Sequence, residues 1–87
     1  MGNLENRLTF GEALEALKAG KKVARTGWNG KGMYLYLADG KLLTQEIGDG
    51  SYPFADSIVM KTADNRYCIG WLASQTDMLA EDWHIAE

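Results

Sequence analysis

The sequence predicts an α+β domain: an N-terminal helix, a small antiparallel sheet of two hairpins, a short C-terminal helix and a terminal strand. Three observations carry this. A capping box and a 3.6-residue apolar period come first, the period drops to two through the middle, and a second capping box precedes the last apolar residues. A parallel crossover needs a strand, a helix and a strand in succession, and no such unit is visible.

The first eight residues set Gly2, Asn3, Glu5, Asn6 and Arg7 around Leu4 and Leu8. They offer few anchors and are expected to be flexible, with a single ligand-binding domain over 9–87. Thr9-Phe10-Gly11-Glu12 is the first capping box: the threonine hydroxyl accepts the Glu12 amide and the glutamate reaches back. Phe10, Ala13, Leu14 and Leu17 then share one helix face, and Glu12, Glu15 and Lys18 the wet one. Gly20 suits the left-handed position past the C-cap. Residues 22–25 read as a short strand and 26–32 as a loop holding Gly27, Gly30 and Gly32 around Trp28. Residues 33–37 form a strand with aliphatic residues on one face and Tyr34 and Tyr36 on the other. Asp39-Gly40 reads as a hairpin turn, with 41–47 returning as the partner strand. Pro53 has no ladder donor, so 52–54 is edge or irregular. Residues 57–61 and 67–72 form a second hairpin about Asp64-Asn65. Ser74-Gln75-Thr76-Asp77 caps about two turns of helix, and residues 83–85 finish extended.

Composition limits the partners. Nine Lys/Arg against twelve Asp/Glu give a net charge of −3 and a pI near 5.0. Long nucleic acid and anionic membranes call for the opposite sign. A small nucleotide held by local cations and backbone amides is still allowed. The first ten residues hold no secretion-type apolar run and no stretch reaches membrane-spanning length, so a cytoplasmic protein is expected. A single cysteine excludes an intrachain disulfide. Cys68 and His84 lack neighbours at ligand spacing, so no metal and no cofactor are expected. With 46% apolar residues, three Trp, four Tyr and two Phe in 87 residues, the chain carries more apolar surface than a small body easily buries. Self-association to a dimer or tetramer is expected, with Tyr34 and Tyr36 as interface, ligand wall or ordinary sheet face.

Few residues suit catalysis. His84 is the single histidine, beside Trp83, and Cys68 sits in an alternating run that reads as core. Asp77 and Glu81, four apart, could share a helix face and hold Mg²⁺ or act as acid and base. Equally, Asp77 caps the helix and Glu81 and Asp82 lie on its solvated face. The most informative segment is residues 25–33. There Arg25 and Lys31 could neutralise phosphates, Trp28 could stack on a base and Asn29 could read polar edges. Gly27 and Gly30 would open the backbone into an anion-binding concavity. The competing reading is a hairpin loop whose Trp28 folds back as a lid on the core.

Residues 10–25 together with Gly27-Trp28-Asn29-Gly30-Lys31, and Trp71 with residues 74–83, resemble the two ends of the Thoeris anti-defence type two family. The resemblance covers about residues 9–86. It implies a small α+β protomer that assembles as a homotetramer and binds cyclic ADP-ribose isomers in pockets between protomers. The messenger would be sequestered uncleaved in the bacterial host cytoplasm, so that the immune effector stays off. A separate site for cyclic di- or trinucleotides is implied for some members. Carried onto this chain, the binding segments match at Arg25, Gly27, Trp28 and Asn29 and at Ser74 and Asp77. The chain departs from many members in having Leu72-Ala73 between Trp71 and Ser74, where those members have a proline next to the serine. Two other functions stay open beside sequestration: a structural or protein-binding phage accessory module, and a small carboxylate-dependent phosphodiesterase or glycohydrolase.

Overall fold

The computed structural model describes residues 7–28 and 30–86. In chain order the elements are α1 (Phe10–Lys18), β1 (Val23–Arg25), β2 (Tyr34–Ala38), α2 (Gly40–Ile47), β3 (Ser57–Lys61), β4 (Tyr67–Ile69), α3 (Gln75–Leu79) and β5 (Trp83–Ile85). The strands form one sheet in the order β4-β3-β2-β1-β5, every pair antiparallel. The α+β class follows; of the two expected hairpins β3–β4 forms, whereas the one expected about Asp39-Gly40 does not.

Both ends of α1 are set by local chemistry. Thr9 Oγ1 accepts the Glu12 amide at 3.2 Å, and Glu12 Oε1 accepts the Thr9 amide at 2.8 Å. At the other end Gly20 adopts a φ of 89°. Its amide donates to Leu17 O at 3.0 Å and the Lys21 amide to Ala16 O at 3.0 Å, the paired bonds of a Schellman stop. The helix lies over β1, β2 and β5, burying Ala13 and Leu17 against Val23, Leu35 and Trp83. Trp83 is fully buried and is the largest side chain in the core.

The alternation in β2 is as expected: Leu35 faces α1, and Tyr34 and Tyr36 face away. Three other expectations are corrected. Residues 41–47 are not a returning strand but helix α2, and β2 pairs with β3. Asp39 caps this helix, its Oδ1 accepting the Lys41 amide at 2.8 Å. The strap that leads to β3 is tied across it: Asp56 Oδ1 accepts the Gly40 amide at 2.8 Å, and Thr44 Oγ1 accepts the Phe54 amide at 2.7 Å. Cys68 is exposed and not in the core, because β4 is the outermost strand and α1 does not reach over it. Leu8 is not loose. Its amide donates to Trp83 O at 2.9 Å and its carbonyl accepts the Trp83 amide at 3.2 Å. The remaining residues of that segment up to Asn6 lie outside the described ones.

The chain leaves β4 through a bulge. Gly70, with a φ of 91°, and Trp71 both donate amide protons to Ile58 O at 2.9 Å. A glycine bulge of this kind re-aims the following side chain. Here it turns Trp71 onto the α1 side, where it packs on the core cluster.

Two glycines near helix N-termini separate space from propensity. A Cβ on Gly11 would meet nothing nearer than Thr9 Oγ1 at 3.9 Å, whereas one on Gly40 would lie 2.2 Å from Phe54 O. Gly11→Ala is expected to stabilise by about 0.4–1 kcal/mol. Gly40→Ala is expected to destabilise by about 1–3 kcal/mol, since strap backbone must move. Paired urea titrations check both signs.

Candidate functional site

Arg25 lies on the same face of the sheet as Val23, pointing under α1 and α3, and its side chain is only 15% exposed. A guanidinium in such a place needs counter-charges. It finds two: Nε donates to Asp82 Oδ1 at 2.9 Å, and an Nη donates to Asp77 Oδ1 at 2.9 Å. Each carboxylate then does a second task. Asp82 Oδ2 accepts the Gly27 amide at 2.8 Å, fixing the start of the tryptophan loop. A Cβ on Gly27 would lie 3.0 Å from that same oxygen, so any larger residue there would press on the carboxylate that holds the loop. Asp77 Oδ2 accepts the Ser74 amide at 3.1 Å and the Ser74 hydroxyl at 2.9 Å, completing the capping box of α3.

Trp28 folds back on the core and is half-buried. Its ring meets Trp83 edge-on at 5.4 Å and Trp71 at 6.3 Å, and its indole N–H makes a long 3.4 Å bond to Asp77 Oδ1. Trp71 and Trp83 are themselves edge-on at 6.3 Å. Trp83 donates its indole N–H to Asp77 O at 3.0 Å, so one aspartate holds two tryptophans and an arginine. Trp28 is thus one member of a three-indole cluster with its outer surface still accessible.

The structure brings Arg25, Gly27, Trp28, Ser74 and Asp77 into one bonded network. It does not bring Gly30 and Lys31 into it. Gly30 packs toward the β3–β4 turn, where a Cβ would lie 2.5 Å from that of Ala63, and Lys31 is exposed. Asn29 lies outside the described residues. Residues that the sequence reading undervalued are Asp82, Trp71 and Trp83. Asp82 is a partner of Arg25 and not part of a solvated face. The available signal was Arg25 itself, two residues after Val23 on an inward-facing strand and therefore in need of an acid. Asp77 and Glu81 share no helix face, because α3 ends at Leu79. His84, beside Ala24 in the sheet, is half-buried with Nδ1 3.4 Å from Thr26 Oγ1.

Ionisation follows the bonding. The Arg25 hydrogen bond leads in holding the Asp82 carboxyl below the ordinary range, against partial burial and with help from the Gly27 amide. Burial opposes ionisation of Asp77, but the Ser74 amide, Arg25, the Ser74 hydroxyl and Trp28 together outweigh it and hold that pKa low as well. Arg25 is raised, first by its bond to Asp82. A carboxyl depressed in the folded state stabilises the fold above its unfolded pKa, and that contribution disappears as pH falls through the folded value. Stability is therefore expected to be level from about pH 6 to 8 and to fall below about pH 4. Asp82→Asn and Asp77→Asn should be less stable at neutral pH yet lose less between neutral pH and pH 3, as thermal melts across that range would show.

Among the described residues no three His, Cys, Asp or Glu are grouped to hold a metal ion, and no helix is long and apolar enough to cross a membrane. The family described as the Thoeris anti-defense 2-like domain matches residues 8–86. The protein named Thoeris anti-defense 2 of Bacillus phage SP01 is 47% identical over 88 aligned positions, covering 94% of this chain and 98% of that protein. The match runs through α1, the tryptophan loop, α3 and β5 without leaving out any element that builds the Arg25 network, and the chain belongs to the Thoeris anti-defense 2 family.

Proposed function

We propose that this chain blocks Thoeris anti-phage defence in the host cytoplasm by binding a cyclic ADP-ribose-type messenger and holding it uncleaved. Family membership along residues 8–86 is the observation that carries the reading. The geometry supports it in two ways. Asp77, the acid that a hydrolytic reading would use, has both oxygens engaged by Arg25, Trp28 and Ser74. The loop after β1 is held from behind by Asp82, so its front is organised before any ligand arrives. In this reading Trp28 offers the stacking surface, and Lys31 and the amides of residues 30–32 neutralise the pyrophosphate. Arg25 and Asp77 position the loop, and Ser74 borders it.

The site is open on a single protomer. We place its other wall on a second copy, in a dimer or tetramer. Helix α2 and its strap form an arm: Leu42 is 58% exposed, Ile47 53% and Tyr52 85%, and the molecule extends 48 Å along its long axis against 26 and 24 Å across. A concavity of about 560 Å³ lies along this arm, lined by Ile47, Asp49, Ser51, Tyr52, Pro53 and Phe54. An eight-residue helix with an unburied apolar face is marginal alone. Burial against a second copy would complete it.

Incubation with cyclic ADP-ribose isomers, followed by heating and chromatography, is expected to return intact nucleotide only after denaturation. Altered nucleotide would favour an enzyme, and no retention a docking module. Trp28→Ala should weaken binding about 5- to 150-fold, the range for one base stacked on one aromatic ring. Calorimetric titration of folded, ligand-free protein checks it, with melting measured separately because Trp28 also packs on Trp83.

Light scattering at micromolar concentration should give a mass above the 9.6 kDa of one chain. Ile47→Asp should shift it toward the monomer while leaving the sheet's circular dichroism unchanged. A monomeric parent protein would overturn the shared-site reading.

A further inference from the structure

The sheet has a second face, turned away from α1. A cross-strand row runs over it: Tyr34 on β2 is opposite Lys61 on β3, which is opposite Tyr67 on β4. The two phenol oxygens lie 3.5 Å apart, in reach of one another across the lysine between them. Lys22, just before β1, places its ammonium 4.7 Å from the centre of the Tyr34 ring. Tyr36 stands edge-on to Tyr67 at 5.8 Å and closes the row from the side. Tyr67 is 62% exposed.

Two cations are gathered here without anions. Among the described residues neither Lys22 nor Lys61 forms an ion pair with a carboxylate, although acids outnumber bases in the chain. Lys61 donates one proton to Gly32 O at 3.1 Å, which leaves two more to give. Both ammoniums act electrostatically on the Tyr67 hydroxyl. Like charges brought together beside two hydroxyl donors, with no carboxylate paired to either among the described residues, favour an anion between them.

We infer that Lys22, Lys61 and the hydroxyls of Tyr34 and Tyr67 form a phosphate-binding site on the open face of the sheet, on the opposite side from the Arg25 network. Two ammoniums supply the charge and two phenols the directional donors, while the exposed ring of Tyr67 offers a surface to a flat group attached to the phosphate. The ligand is inorganic phosphate or the phosphate of a small ring-bearing ester. None of the four residues belongs to the Arg25 network, and Lys61, which meets the tryptophan loop at Gly32 O, is not varied in the test, so the two sites can fail separately.

The test titrates the intact protein with inorganic phosphate, adenosine 5′-monophosphate and adenosine in parallel, following backbone amide shifts by NMR. Phosphate and the monophosphate are expected to shift the amides of residues 34, 61 and 67 saturably, with a Kd of about 1 mM or tighter. A tighter Kd for the monophosphate than for phosphate identifies an ester as the ligand, and equal values identify the free ion. Lys22→Gln is expected to weaken binding about tenfold or more, as loss of a charge-assisted bond would. Tyr67→Phe, which removes only a surface hydroxyl, should weaken it less but measurably. Adenosine binding as tightly as its monophosphate, no saturable shift, or affinity unchanged in both variants would overturn the proposal. So would affinity that falls as protein concentration rises, because a second copy would then be covering the face. Failure of messenger binding with phosphate binding intact would leave this site standing and remove only the other.

Discussion

A guanidinium on the inner face of a small sheet constrains the whole molecule. Arg25 cannot occupy that position without anions, and β1 has none of its own. Both come from the far end of the chain, Asp77 from the first turn of α3 and Asp82 from just before β5. Bringing them to Arg25 fixes where α3 lies and sets β5 beside β1. It also delivers Trp83 to the centre of the core, where Leu8 and Phe10 close over it. The apolar core and the polar network are therefore one arrangement seen from two sides. The carboxylates that neutralise the arginine also satisfy the loop amide, the helix cap and an indole N–H, leaving no buried side-chain nitrogen or oxygen unpartnered among the described residues.

This coupling bears on how a loop rich in glycine can bind anything tightly. Residues 26–32 would lose much freedom on closing around a ligand. Asp82 removes part of that loss in advance by holding Gly27, the Trp28 amide adds a bond to Arg25 O at 3.3 Å, and Lys61 holds the other end through Gly32 O. Trp28 is likewise braced by two other indoles, so its outer face is presented by a fixed ring. A protein that only holds its ligand, as proposed here, would gain from such rigidity, because whatever ordering is completed during folding need not be repeated at each encounter.

Much of this was legible in the residues. Thr9 with Glu12, and Ser74 with Asp77, located two helix starts because capping is local chemistry. The alternation of Leu35 and Leu37 with Tyr34 and Tyr36 gave the faces of β2. Asp39-Gly40 misled, because an aspartate before a glycine can either turn a hairpin or cap a helix. What decided between them was the strap at Phe54–Asp56, a contact remote in sequence. The spacing of Leu43 and Ile47, four apart, was the weaker sign of a helix. Cys68 read as core because alternation reveals a face and not a strand's place in the sheet order. At the site, Trp28, Asp77 and Ser74 stood out by type and spacing, but the role of Asp82 depended on a pairing with Arg25 that local pattern cannot express. The glycine bulge that turns Trp71 inward was hidden for the same reason.

The pairing of β1 with β5 has a consequence for how the chain reaches this state. Arg25 and Asp82 are 57 positions apart, and Val23 and Trp83 meet only when the last strand arrives. Until then α1 and β1 have neither the large residue that fills their core nor the acids that neutralise their arginine. Closing so long a loop costs entropy before any of those contacts form. Folding is thus expected to complete only when the C-terminal residues arrive, and an interruption there would leave an N-terminal half with an unfilled apolar face and an unpaired charge. Such a half-chain would offer proteases an open substrate, so loss of the last strand would cost the whole fold and not merely one edge of the sheet.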